Sequence, residues 1–219
     1  MPSTVVHVAF GLLCAAAVLG TRFDRRAAMI VALAVTVPDL DVVASLVVPA
    51  THRAMLHTVF VPGVLAFVLW HGTRSNGWLS DRLAAGDAER LWAGLFAYVA
   101  AGIGLDLFTG LGVNLLYPVV DQFVAIDGDV GYASGEGLFQ SFIERSEPAA
   151  DGGGSAVDVG QRGSTETVHV GSGVDPSRGA EQPGTERVFP AVFRGWHVTL
   201  VLAGTVATWL RLRDTEASG

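Results

Sequence analysis

The sequence contains no lysine and few charged residues of any kind. Charged side chains make up 16% of its 219 residues, whereas soluble domains of this size usually carry about a quarter. Half of the residues are hydrophobic, and the mean hydropathy is positive at +0.44. This composition indicates a membrane protein with one domain's worth of helices and no room for a second large core.

Cysteine and positive charge are scarce as well. The single cysteine, Cys14, excludes an intrachain disulfide and a cysteine-based zinc cage. The formal net charge is −7 and all fourteen basic residues are arginine, a balance that resembles the proteins of a salt-loving microbe. Because binding to nucleic-acid phosphates needs a basic stripe, we expect no nucleic-acid partner.

The sequence does contain several long apolar runs. A membrane-spanning helix needs about 20 predominantly apolar residues, and five runs approach this length. They predict an all-α membrane protein with about five transmembrane helices. The runs cover approximately residues 5–20, 27–49, 55–70, 91–109 and 193–210. Pro38 should break the second helix, since proline lacks a backbone donor and disfavours a helical residue before it.

The arginines predict how these helices are oriented. They concentrate in the first loop, the third loop and the C-terminal tail, which with five spans lie on one side and should be cytoplasmic. The segment between the fourth and fifth helices would then be extracytoplasmic. Its first part alternates enough to form short strands or a hairpin, whereas residues from about 144 to 187 are rich in Gly, Ser, Asp, Glu and Pro, which predicts disorder. We expect a membrane-embedded helical domain in residues 1–125, this loop in residues 126–192 and the last transmembrane helix in residues 193–213.

Ionisable side chains within the apolar runs provide the functional prediction. On the expected topology they converge on the extracytoplasmic leaflet, although they lie far apart in the sequence. An ionisable group in a span costs about 2.5–3.5 kcal/mol on insertion scales, so such groups are seldom idle. The set consists of His7, Asp39, Asp41, His52, Arg53, His57 and Asp106.

The residue types in this set suit a divalent metal ion. Histidines combined with carboxylates fit zinc, manganese or iron better than copper or calcium, and we expect zinc or manganese. The predicted metal ligands are His7, Asp39, Asp41, His52, His57 and Asp106. Asp39 and His57 are also candidates for the general base, and ligand and base roles stay open at this point. Arg53 would hold an anionic group of the substrate, for which phosphate is the natural fit.

Four motifs carry a resemblance to a known family. The stretches HVAFG, PDLD, HRAMLH and DLFTGLGVNLLYP occur in this order over about residues 1–125. Together they resemble the YdjM-type inner-membrane metal-dependent hydrolases, and the resemblance implies a membrane-embedded, metal-dependent hydrolase. The family pattern carries over to His7, Gly11, Asp39, Asp41, His52, Arg53, His57, Asp106, Thr109, Gly112 and Pro118.

One position departs from the family pattern. The family often has a histidine four residues before the aspartate of the fourth helix, and here Gly102 occupies that position. A missing ligand could weaken the metal affinity or mark an inactive site.

The expected function is hydrolysis of an ester or phosphoester of a membrane lipid or another envelope component by metal-activated water. One alternative is a transporter that uses the same carboxylates as an ion pathway. It would need ionisable residues in the cytoplasmic half too, and that half is almost purely apolar. The other alternative is a scaffold with an inactive site.

Overall fold

The computed structural model describes residues 2–74, 77–135, 137–145, 157–158, 160–189 and 191–218. The helices are α1 Thr4–Leu19, α2 Arg25–Thr36, α3 Asp41–Ala44, α4 Phe60–Gly72, α5 Asp87–Ala97, α6 Gly104–Leu107 and α7 Gly195–Ser218. The strands are β1 Phe123–Val124, β2 Val130–Ala133, β3 Gly137–Gln140, β4 Glu144–Arg145, β5 Val157–Asp158 and β6 Gln161–Gly163. They form three two-stranded antiparallel sheets, in which β1 pairs with β6, β2 with β3 and β4 with β5. The chain is therefore mostly helical, with short strands that an all-α architecture does not include.

Helix α1 lies at the centre of a bundle and packs against α2, α5 and α7. Glycines allow two of these close approaches. A Cβ on Gly11 would lie 2.6 Å from Val35 Cγ2 of α2, and a Cβ on Gly204 of α7 would lie 2.1 Å from the carbonyl oxygen of Ala9. Small residues at helix interfaces bring backbones together in this way in membrane bundles.

The two ends of the bundle differ in their polar contacts. At one end, α1 and α7 begin while α2 and α6 end. At the other end, Asp24 caps α2 by accepting a hydrogen bond from Ala27 N. Arg90 of α5 lies 2.7 Å from the same Asp24 carboxylate, and Arg26 lies 2.8 Å from Asp87. These ion pairs join α2 to α5 at the end of the bundle opposite the predicted site.

Within the described residues, three helical segments are long and apolar enough to cross a membrane: Thr4–Arg22, Arg25–Ala44 and Asp87–Leu107. The prediction of five spans is not confirmed. Helix α4 is apolar but only 13 residues long. Helix α7 has 24 residues but is not among the three, and its second half carries Arg211, Arg213 and Asp214.

The predicted break of the second helix at Pro38 is seen only as a change from α-helical to 3₁₀ hydrogen bonding, since Val37 before the proline keeps helical dihedral angles. Helix α2 ends at Thr36, a 3₁₀ turn covers Pro38–Leu40, and α3 begins at Asp41. The neighbouring segment, Tyr98–Ile103, is π-helical and connects α5 to α6. A Cβ on Gly102 in this stretch would lie only 2.7 Å from Pro38 Cγ. The position where the family often has histidine is therefore filled by close packing against the proline ring.

The segment after α6 contains the predicted hairpin, which is formed by β2 and β3. The disorder predicted from about residue 144 is not confirmed for residues 160–187. Val168 and Val170 are buried against Phe123 of β1, and Asp121 accepts hydrogen bonds from Thr165 N at 3.0 Å and Thr165 Oγ1 at 2.6 Å. Apolar contacts with the strand region supply the burial that this polar sequence lacks on its own. Residues 146–156 and 159, also within the predicted disorder, lie outside the described residues.

Candidate metal centre

The predicted site residues meet at the end of the bundle where α1 begins and α6 ends. Asp39 is half-buried. The other members are buried, namely His7, Asp41, His52, Arg53, His57 and Asp106. Ionisable side chains from four separate stretches of sequence thus form one cluster with little access to solvent.

Residues 50–59 carry three members of the cluster in an irregular loop. The sequence places these residues at the start of a helix, but α4 begins only at Phe60. Ala50 and Arg53 have φ values of 62° and 63°, a left-handed conformation that is uncommon outside glycine. Because the loop is not helical, its backbone groups form hydrogen bonds with residues outside the loop. Asn114 N, for example, donates to the carbonyl oxygen of Arg53 at 2.9 Å. Irregular backbone at membrane depth is tolerated where protein covers it in this way.

Asp41 holds this loop through both of its carboxylate oxygens. Its Oδ1 lies 2.8 Å from His52 Nδ1, and its Oδ2 lies 2.8 Å from His57 Nδ1 and 2.9 Å from Arg53 N. Since an ionised carboxylate only accepts hydrogen bonds, both histidines donate from Nδ1 and carry their lone pairs on Nε2. A carboxylate in this position typically orients histidine ligands rather than binding the metal itself.

Asp106 is faced by two further imidazole nitrogens. His7 Nδ1 lies 2.6 Å from the carbonyl oxygen of Ala101, so Nδ1 donates and Nε2 points the other way, 3.5 Å from Asp106 Oδ1. His57 Nε2 is buried, lies 3.3 Å from Asp106 Oδ2 and has no hydrogen-bond partner among the described residues. In neutral histidines both Nε2 atoms present lone pairs to carboxylate oxygens, and nitrogen and oxygen then repel each other unless a proton or a metal ion lies between them.

Asp39 completes the group of donor atoms around this point. One ligand atom each from His7, Asp39 and Asp106 lie within 4.8 Å of one another, which is close enough for a single ion to touch all three. The Thr4 hydroxyl donates to Asp39 Oδ2 at 2.5 Å and fixes that carboxylate. The break at Pro38 therefore separates the two aspartates, because Asp39 turns to His7 and Asp106 while Asp41 turns to the histidines of the loop.

Arg53 lies behind Asp106 and not at an open surface. Its guanidinium is fully buried and forms an ion pair with Asp106. It also donates to Thr109 Oγ1 at 2.7 Å and to the carbonyl oxygen of Gly112 at 3.4 Å. These contacts do not favour the predicted role of Arg53 in holding substrate.

The charge of the cluster agrees with a divalent cation. Three carboxylates and one guanidinium leave a net charge of −2 when the histidines are neutral. A single divalent ion would neutralise this charge, and oxygen and imidazole donors suit zinc or manganese. The residues present therefore fit the metal that the sequence predicts.

Two contacts of the cluster were not foreseen from the sequence. Thr4 lies one helical turn before His7, and this spacing is a signal for a shared helix face. The Tyr98 hydroxyl donates to the carbonyl oxygen of Leu56 and so ties the loop to the π-helical stretch. A tyrosine inside a run of small apolar residues is a weak signal, since it also fits an interfacial anchor.

Comparison with known proteins gives a family. No curated protein and no solved structure matches the chain. The sequence model of the family described as YdjM inner membrane protein matches residues 1–140, which include every member of the cluster. Together with three apolar helices long enough to span a bilayer, this match indicates an integral membrane protein. The chain belongs to the YdjM inner membrane protein family.

Proposed function

We propose that the chain is a membrane-bound, metal-dependent hydrolase that acts on an ester or phosphoester of a lipid or envelope component. The main support is the pair of Nε2 atoms, from His7 and His57, that face the Asp106 carboxylate at 3.5 and 3.3 Å. This arrangement needs a positive group between nitrogen and oxygen, and the surrounding donors suit a divalent ion. A bound ion of this kind lowers the pKa of water towards about 7 and supplies a nucleophile at neutral pH.

In this proposal the donors around Asp106 hold the metal. His7, Asp39 and Asp106 form the closest group, and His57 joins them through its unpartnered Nε2. The sequence predicts Asp41 as a ligand, but in this proposal it does not bind the metal, because both of its oxygens accept hydrogen bonds from Nδ1–H and N–H donors. Its role is to fix the tautomer and the ring orientation of the two loop histidines.

His52 is the candidate general base. It shares Asp41 with His57, but it is 7% exposed whereas His57 is fully buried. A carboxylate that accepts from Nδ1–H fixes the tautomer, so that the opposite nitrogen, Nε2, carries the lone pair that can accept a proton. His52 can therefore accept a proton near the edge of the cluster while His57 stays in its interior.

Arg53 would act on Asp106 and not on substrate. Its buried guanidinium pairs with that carboxylate and leaves the cluster with a net charge of −2, which one divalent ion would neutralise. Breaking a buried ion pair by removing one partner costs about 3–5 kcal/mol. Substitution of Arg53 should therefore affect folding and metal content together.

Metal analysis combined with a hydrolysis assay tests the proposal. Detergent-purified protein should contain one zinc or manganese per chain and hydrolyse short-chain phosphoester or carboxyl ester lipids in a chelator-sensitive manner. Asp106→Asn should lose both properties, whereas Asp129→Asn, which changes an exposed carboxylate outside the cluster, should retain them. Stoichiometric metal without hydrolysis of any ester would instead favour a transporter, and absence of metal would favour a scaffold.

A further inference from the structure

A cavity of about 520 Å³ lies beside the cluster, between the end of α6 and the start of α7. Its polar lining consists of Thr109, Asp127, Arg194 and His197, and Phe108 and Trp196 contribute apolar walls. We propose that this cavity binds the phosphate of a membrane-lipid headgroup. The further claim that the bound headgroup is the substrate rests on the proposed function, whereas the binding itself does not.

His197 is the buried group that points to an anionic ligand. It is 1% exposed and lines the cavity. Phe193 N donates to its Nδ1 at 3.2 Å, so the neutral ring carries its proton on Nε2. That Nε2–H is buried and has no hydrogen-bond partner within the described part of the chain. A buried donor without a partner destabilises the fold, and an anionic oxygen in the cavity would satisfy it.

Arg194 supplies positive charge at the same place. It is exposed, and it forms no ion pair with any residue that the structure describes. It directly precedes α7, a helix of 24 residues whose first backbone N–H groups also favour an anion. An arginine, a neutral imidazole N–H and a helix start together form a site for phosphate, which arginine binds through two parallel hydrogen bonds.

The other lining residues favour a phosphate that is carried by a lipid. Trp196 is 43% exposed, and tryptophan is enriched where headgroups meet acyl chains. The Asp127 carboxylate can accept a hydrogen bond from a hydroxyl or amine of a headgroup, whereas it would repel a free phosphate dianion. The exposed ring of Phe108 continues the apolar wall. An amphiphile therefore fits this lining better than an inorganic ion does.

Thr109 connects the cavity to the metal centre. Its hydroxyl lines the cavity and also accepts the hydrogen bond from Arg53, which pairs with Asp106. Thr109 is also joined directly to Asp106, because its Oγ1 donates to the carbonyl oxygen of Asp106 at 2.7 Å. A headgroup phosphate in the cavity would thus lie next to the cluster.

A binding experiment on metal-free protein tests the site without depending on catalysis. Chelator-treated protein in neutral detergent is titrated calorimetrically with dihexanoyl phosphatidylglycerol, whose headgroup carries hydroxyls, and, separately, with inorganic phosphate. We expect saturable binding of the lipid, at least tenfold tighter than that of phosphate. Arg194→Gln and His197→Phe should each weaken lipid binding about tenfold or more, while the fold is monitored by circular dichroism. Arg213→Gln is the matched control, because it changes an exposed arginine beside a tryptophan at the other end of the same helix.

The outcomes separate this site from the proposed function. Chelator-treated wild-type protein lacks the metal and should still bind the lipid, because the lining residues Arg194 and His197 do not belong to the cluster. If wild-type protein does not bind the lipid, or if Arg194→Gln binds as tightly as Arg213→Gln, the lipid-phosphate site is refuted whatever the hydrolysis assay gives. Equal affinity for inorganic phosphate would refute the lipid as ligand.

Discussion

Replacing Asp41 with asparagine distinguishes an orienting carboxylate from a metal ligand. The two oxygens of Asp41 accept hydrogen bonds from His52 Nδ1, His57 Nδ1 and Arg53 N. Asparagine offers only one oxygen acceptor. Its NH₂ group would replace the other carboxylate oxygen and face the N–H donor that bonds to that oxygen in the wild type. At least one imidazole N–H therefore loses its acceptor, while every other atom of the cluster is kept.

The size of the effect can be worked out in two ways. A hydrogen bond to a charged group contributes about 1.5–3 kcal/mol. Loss of a partner that orients a metal ligand typically lowers metal affinity about 10–100-fold, which corresponds to roughly 1.4–2.7 kcal/mol. The two ranges agree, so Asp41→Asn should weaken metal binding by one to two orders of magnitude and not abolish it.

The assay is a competition titration against a chromophoric chelator, with detergent-solubilised protein and added zinc or manganese. Asp106→Asn should bind at least tenfold more weakly than Asp41→Asn, because it removes a ligand and leaves the buried Arg53 without its counter-charge. Asp129→Asn should match the wild type. If Asp41→Asn loses as much affinity as Asp106→Asn, Asp41 is a ligand as the sequence predicts. If it stays within twofold of the wild type, the orienting role is wrong.

Two further predictions concern packing and charge away from the metal. In a thermal unfolding assay, Gly102→His should lower the free energy of unfolding by about 1–3 kcal/mol, because a Cβ at this position would lie 2.7 Å from the Pro38 ring. Gly63→Ala is the control. A Cβ on Gly63 meets nothing within 4 Å, so this substitution should be neutral or stabilising in the same assay. Burial raises the pKa of Asp24, but the Arg90 guanidinium and the Ala27 N–H outweigh it and lower that pKa, so ionised Asp24 stabilises the fold above its unfolded pKa of about 3.9. Asp24→Asn keeps the helix cap and should cost about 0.5–1 kcal/mol at pH 7. This difference should decrease as the pH falls through the lowered pKa of Asp24, and a difference that does not change as the pH is lowered would contradict the ionic origin.

The helices and the members of the cluster could be predicted because both depend on local signals. Apolar runs gave the positions of α1, α2 and α5, and Pro38 gave the break, since proline acts on its own helix. The cost of burying charge identified His7, Asp41 and Asp106 without any knowledge of their partners. Hydrophobicity, the proline ring and side-chain charge all belong to the residue itself, so they can be used without knowing which residues lie nearby in the fold.

The loop of residues 50–59 could not be predicted, because its conformation is fixed by residues far away in the sequence. Helical spacing places Arg53 and His57 on one face, whereas the structure turns Arg53 through a left-handed backbone conformation. That conformation costs energy locally and is stabilised by Asp41, which accepts from Arg53 N, and by Asn114, which donates to its carbonyl oxygen. No pattern within the loop encodes these partners.

The same reasoning explains why the two aspartates of PDLD differ in role. Side chains two residues apart point to nearly opposite sides of a helix, and the 3₁₀ turn after Pro38 does not bring them together. It delivers Asp39 to α1, where Thr4 and His7 lie, and Asp41 to the loop histidines. In the proposed metal site, Asp39 therefore completes the group of donors, while Asp41 orients the imidazoles of the loop. The four residues of PDLD would thus supply one metal ligand and one carboxylate that orients histidines. The metal titration of Asp41→Asn tests whether these two roles are distinct.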